Sequence, residues 1–146
     1  MKKTIMALSM LLTVGLSAAL AGDETKVDPR VLDAFKKEFA SAENVTWRAA
    51  ADYSVATFSL NRQWISAYFN EEGKLLGTAR NLVFSQLPIA VMKSITSRYP
   101  LSDISGIFEY NEEGESSYYM QVKKGDKKFL VRASATGIVS VVKKVR

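Results

Sequence analysis

The chain contains no cysteine and no histidine among its 146 residues, and only three prolines. Without cysteine there can be no disulfide framework, so stability must come from packing and hydrogen bonds. The joint absence removes Ser-His-Asp triads, thiol nucleophiles and histidine-ligated metals. No run of Lys or Arg is long enough to read as a phosphate-binding tract, and charges of both signs are interspersed. Nucleic acid is therefore not an expected partner.

Long apolar runs are also missing, except at the start. Lys2 and Lys3 precede an almost purely apolar stretch from Ile5 to Leu20, which ends in Ala19-Leu20-Ala21. This pattern predicts a signal peptide over residues 1–21, cleaved after Ala21. The alternative is a membrane anchor, since Thr4 to Ala21 is nearly long enough to span a bilayer. Gly22-Asp23-Glu24 is acidic where a stop-transfer flank would be basic, and there is no cysteine for lipid attachment. The expected product is periplasmic, or secreted, with no stable membrane anchor. Residues 22–146 suit a single domain, and loss of Lys2 and Lys3 lowers the formal charge from +5 to +3.

That domain reads as written twice, over about 28–82 and 86–146. Asp28-Pro29 is an N-cap followed by proline, after which Val31, Leu32, Phe35 and Phe39 share one helical face. Sixty residues later Val91, Met92, Ile95 and Tyr99 repeat the spacing, with Pro88 in the first turn and Pro100 beyond the end. Period-two alternation predicts four strands after each helix. They run from Asn44 to Ala50, Val55 to Leu60, Gln63 to Phe69 and Leu75 to Asn81, then from Ile104 to Tyr110, Ser116 to Lys123, Lys127 to Ala133 and Ile138 to Lys144. Ile65, Ala67, Phe69 and Gly73 match Phe129, Val131, Ala133 and Gly137 at an offset of sixty-four, as if one turn had gained residues.

Polar turns carrying glycine, such as Asn70-Glu71-Glu72-Gly73, Asn111-Glu112-Glu113-Gly114 and Lys124-Gly125-Asp126-Lys127, predict hairpins. The expected fold class is α+β: tandem duplicated αββββ units with an antiparallel sheet and two helices packed on one face. Val45, Trp47, Phe58, Leu60, Ile65, Phe69, Tyr118, Met120, Phe129 and Val131 form the more apolar set, which should meet the helices. The other side collects Arg48, Trp64, Tyr68, Arg80, Tyr119, Gln121 and Arg132. Aromatics with arginine are the residue types that dominate interface hot spots, so these seven are the candidate binding residues.

No catalytic residue stands out. Ser140-Val141-Val142-Lys143 has the spacing of an acyl-enzyme dyad, but on a strand residues three apart are expected to point to opposite faces. Fifteen carboxylates leave a paired-acid mechanism formally open. Glu71, Glu72, Glu112, Glu113 and Glu115, however, fall in or beside turns where carboxylates are simply solvated. The Asn-Glu-Glu-Gly turns lack the alternating ligands of a calcium loop. Asn44-Val45-Thr46 fits the glycosylation pattern but reads as a strand start. No enzyme activity, no cofactor and no metal are expected.

With the repeat and the faces in view, the chain resembles the PepSY-like, beta-lactamase-inhibitor-like family of small exported Bacteroidetes proteins. The resemblance rests on the repeated helix and sheet, on Phe108-Glu109-Tyr110 before a glycine turn, on Tyr118-Tyr119, and on Ala135-Thr136-Gly137-Ile138. It implies a periplasmic protein shaped like an inhibitor that grips an enzyme loop with its sheet, and it transfers no contact residue. The functional expectation is a non-enzymatic binding module that engages another periplasmic or envelope protein as an inhibitor or sensory accessory. The alternative is a binder of a small ligand or an envelope glycan.

Overall fold

The computed structural model describes residues 26–145, so the expected signal peptide and its cleavage point lie outside the described residues. Among the described residues, eight antiparallel strands and two α-helices make an α+β fold. The chain divides into two compact units at Ala79/Arg80.

In the first unit, helix α1 spans Pro29–Glu38. Asp28 caps it, its carboxylate accepting from the Arg30 backbone N–H at 2.8 Å, and Pro29 occupies a first-turn position whose N–H is not needed. Strands β1 (Glu43–Ala49), β2 (Tyr53–Leu60), β3 (Gln63–Asn70) and β4 (Leu75–Asn81) follow, β4 running across the unit boundary. Val31 and Phe35 of α1 bury themselves against Trp47 of β1 and against Ala56, Phe58, Ala67 and Phe69, which alternate along β2 and β3. Phe35 is central, with the rings of Trp47 and Phe58 each 5.1 Å away and edge-on.

The second unit repeats this plan. Helix α2 spans Ile89–Thr96, with Pro88 at the N-cap position rather than inside the first turn. Strands β5 (Ile104–Glu112), β6 (Glu115–Lys124), β7 (Lys127–Ser134) and β8 (Val139–Val145) follow. Val91 and Ile95 pack with Tyr118, Met120, Val122, Val131 and Ala133.

The repeat is held in register by glycines at matching places. Gly73 and Gly137 end the loops after β3 and β7 with positive φ, and each lies against the first-turn backbone of its own unit's helix. The loop caps match too: Asn70 Oδ1 accepts from the Lys74 N–H, and Ser134 Oγ accepts from the Ile138 N–H. The extra residues of the second unit lie in the β5–β6 hairpin, in keeping with the sequence pattern. The hairpins β2–β3 and β6–β7 both turn through two residues, Asn61-Arg62 and Gly125-Asp126. The addition lengthens both arms of β5–β6: β5 has nine residues where β1 has seven, and β6 has ten where β2 has eight.

Bulges interrupt the alternation at three points. Asn44 and Gly106, both at φ 56°, sit where the β1–β2 and β5–β6 registers shift. In β8 the register shifts at Val142, since Leu130 pairs with Lys143 and Val131 with Val141. Ser140 and Lys143 therefore oppose Arg132 and Leu130, which share a face of β7, so the two do not point to opposite faces as strict alternation predicts. Both are exposed.

Candidate binding site

Each unit has one sheet face that carries the helix cluster and one that does not. In the first unit the helix-free face holds Val55, Thr57, Ser66 and Tyr68, with the Thr57 and Ser66 hydroxyls 3.2 Å apart. Tyr68 opposes Val55 and is only 1% exposed, its ring 6.4 Å from that of Tyr53. Arg48, opposite Val55 on the other side, is half-buried. Trp64, opposite Ser59 near the β2–β3 turn, is 54% exposed and presents an indole to solvent.

In the second unit Tyr119 occupies the centre of the helix-free face at 2% exposure. The ring of Phe108 stacks on it at 5.2 Å and 11°. On its other side Arg132 donates from Nη2 to Ser117 Oγ at 2.7 Å, while the Arg132 Nε is buried and has no hydrogen-bond partner among the described residues. Burial raises the Tyr119 pKa, and the Arg132 charge and hydrogen bond pull it back. Tyr110, on the same face, is pushed well above the usual phenol value, first by burial and then by Glu112. Gln121 is half-buried, and its side chain lies over the Gly106 bulge.

Arg80 is not on this face. Its Nε donates to Glu109 Oε1 at 2.8 Å, and Glu109 in turn accepts from the Tyr118 hydroxyl. Arg80 lies two residues before Leu82 and Glu109 two after Ile107, and both Leu82 and Ile107 belong to the α2 cluster. Alternation within the second unit thus places the ion pair on the helix side, and counting from the first unit's strands put Arg80 on the wrong face. Burial raises the Tyr118 pKa, with Glu109 adding to the effect.

Of the seven sequence candidates, the structure brings Tyr119, Gln121 and Arg132 onto one face of the second unit, and Arg48, Trp64 and Tyr68 onto one face of the first. Phe108 and Tyr110 were missed. The signal for them was Gly106, because an isolated glycine in a strand marks a bulge, and the bulge decides which way Phe108 points. Large aromatics paired across neighbouring strands shield one another, so a face without a helix is not an exposed face at Tyr68 or Tyr119. Among the described residues no group of three or more Asp or Glu side chains could hold a metal ion. No helix among them is long and apolar enough to cross a membrane.

No protein-family model matches the chain, and no curated protein matches it. Solved structures do. The chain is similar to a DUF2874 family protein from Bacteroides ovatus, with a TM-score of 0.71 and 21% identity over 83% of this chain and 90% of that one. It is similar to a candidate periplasmic protein from Bacteroides eggerthii, with a TM-score of 0.69 and 19% identity over 82% and 88% of the two chains. A BLIP-like protein from Bacteroides fragilis matches with a TM-score of 0.66 and 19% identity over 88% of each chain. At these identities the likeness establishes the fold: two helices and eight antiparallel strands in the BLIP-like arrangement.

Proposed function

We propose that this chain is a non-enzymatic periplasmic binding module that engages another envelope or periplasmic protein through its helix-free faces, as an inhibitor or a sensory accessory. The observation that carries this reading is Arg132. A charged guanidinium nitrogen held out of water with no acceptor is costly, and an incoming carboxylate or carbonyl oxygen would relieve that cost. The stacked rings of Phe108 and Tyr119 give such a contact a rigid apolar floor. Trp64 supplies an exposed anchor of the kind that dominates hot spots. The lack of histidine and cysteine in the sequence supports a binding role over a catalytic one.

Export, cleavage after Ala21 and kinship with PepSY-like proteins belong to the same proposal. The basic, apolar, small-residue order of the leader and the likeness to a candidate periplasmic protein support them. The test is retention from a periplasmic extract on immobilised protein, comparing wild type with Trp64→Ala, Arg132→Gln and the helix-side control Lys93→Ala. A stoichiometric protein retained by wild type and by the control, and lost from one of the other two, supports the reading. Retention of glycan without protein would favour a polymer binder instead.

A further inference from the structure

We infer that the first unit carries a second site, a pocket between α1 and β1 that takes a small apolar molecule bearing one anionic group. The pocket is open to solvent on one side and holds about 350 Å³. That is at the small end of the roughly 300–1,000 Å³ typical of small-molecule sites. Its walls include the rings of Phe35, Phe39 and Trp47, with Phe35 lying 5.5 Å from Phe39 and 5.1 Å from Trp47. Leu32, Ala42 and Val45 complete the apolar lining. Lys36 is the one ionisable residue that lines it.

The repeat shows why this space is open. The ladders set the match between the copies: Phe58 pairs with Ile65 and Val122 with Phe129, and facing them on the neighbouring strand stand the Asn44-Val45 bulge and Ile104 respectively. In the second unit Ile107 is buried in the α2 cluster and Ile104 packs against it. In the first unit the bulged Asn44-Val45 stands at the place of Ile104, and Val45 lines the pocket at 36% exposure. The second unit also has the 3-10 turn Leu101–Asp103 in the connection where the first has none. The opening is walled by aromatic rings that an apolar body would cover. Charge complementarity fixes the ligand's sign: the lining offers a lysine and no carboxylate.

Two dyes that differ by one charge test this: anilinonaphthalene sulfonate and its uncharged parent phenylnaphthylamine, titrated into the purified protein and followed by fluorescence. Wild type should bind both at one saturable site. Ala42→Ile adds bulk at the pocket wall and should weaken both dyes by at least about tenfold, since it takes the volume the dye rings would fill. Lys36→Gln should weaken the sulfonate by about three- to fivefold, the scale of an exposed ion pair, and leave the parent unchanged. Thermal melts confirm that each variant is folded. The proposal is overturned if wild type binds neither dye, if folded Ala42→Ile binds like wild type, or if Lys36→Gln fails to separate the two dyes.

Discussion

Gly137 lies so close to α2 that a β-carbon placed on it would stand 2.7 Å from the carbonyl oxygen of Ala90. In the first unit Gly73 stands in the same relation to Arg30, at 2.8 Å. Both also have positive φ, so two independent reasons exclude a side chain. By contrast, nothing among the described residues lies within 4 Å of the β-carbon position at Gly114 or Gly125 beyond their chain neighbours. Gly73→Ala and Gly137→Ala should each cost about 1–3 kcal/mol, more than the φ penalty alone that Gly114→Ala incurs. Urea unfolding would measure the difference, and equal losses would mean these loops do not seat on their helices.

The two helices should behave as equivalent core elements. Phe35→Ala should cost about 3–5 kcal/mol and Ile95→Ala about 2–5 kcal/mol, as truncations of buried side chains. Both should appear as a lower melting temperature. A thermally silent variant would show that its helix does not seat on the sheet.

The aromatic candidates should separate into two classes. Tyr68→Ala and Tyr119→Ala remove buried rings and should lower stability by about 3–5 kcal/mol, as for other buried aromatics. Trp64→Ala removes an exposed indole and should leave the melt nearly unchanged, while costing about 2 kcal/mol in affinity for the partner if it is a hot spot. A stable Tyr119→Ala protein would show that this face is packed more loosely than the structure shows.

Alkaline pH should be destabilising through Tyr110. Its pKa is raised on folding, so above the unfolded phenol's value of about 10 the unfolded state gives up a proton that the native state keeps. Stability should therefore fall as pH rises through that value. Tyr110→Phe should make the fall shallower, which chemical denaturation at a series of pH values would detect. An unchanged slope would assign the alkaline loss to other groups.

The N-terminus of the mature protein is a separate question. N-terminal sequencing of the periplasmic fraction should begin at Gly22 or within a residue or two of it. A full-length species held in the inner membrane would refute export with cleavage.

The sequence by itself determined the elements and their duplication, because these follow from local rules. Asp28-Pro29 and the stripe Val31, Leu32, Phe35 predict α1, and the observed strands begin and end within a few residues of where alternation placed them. It also separated most of the helix-facing set from the rest, since Phe58, Phe69, Met120 and Val131 need only period two. Tertiary structure alone decided the side taken by Arg80, the shared face of Ser140 and Lys143, and the burial of Tyr68 and Tyr119. Each depends on which residue lies opposite which across a ladder, and a single bulge, at Gly106 or Val142, reverses every face beyond it. The pocket beside Phe35 was hidden for a related reason. Its walls come from α1 and from β1, and only the packing of one on the other brings Phe39 and Trp47 around one space.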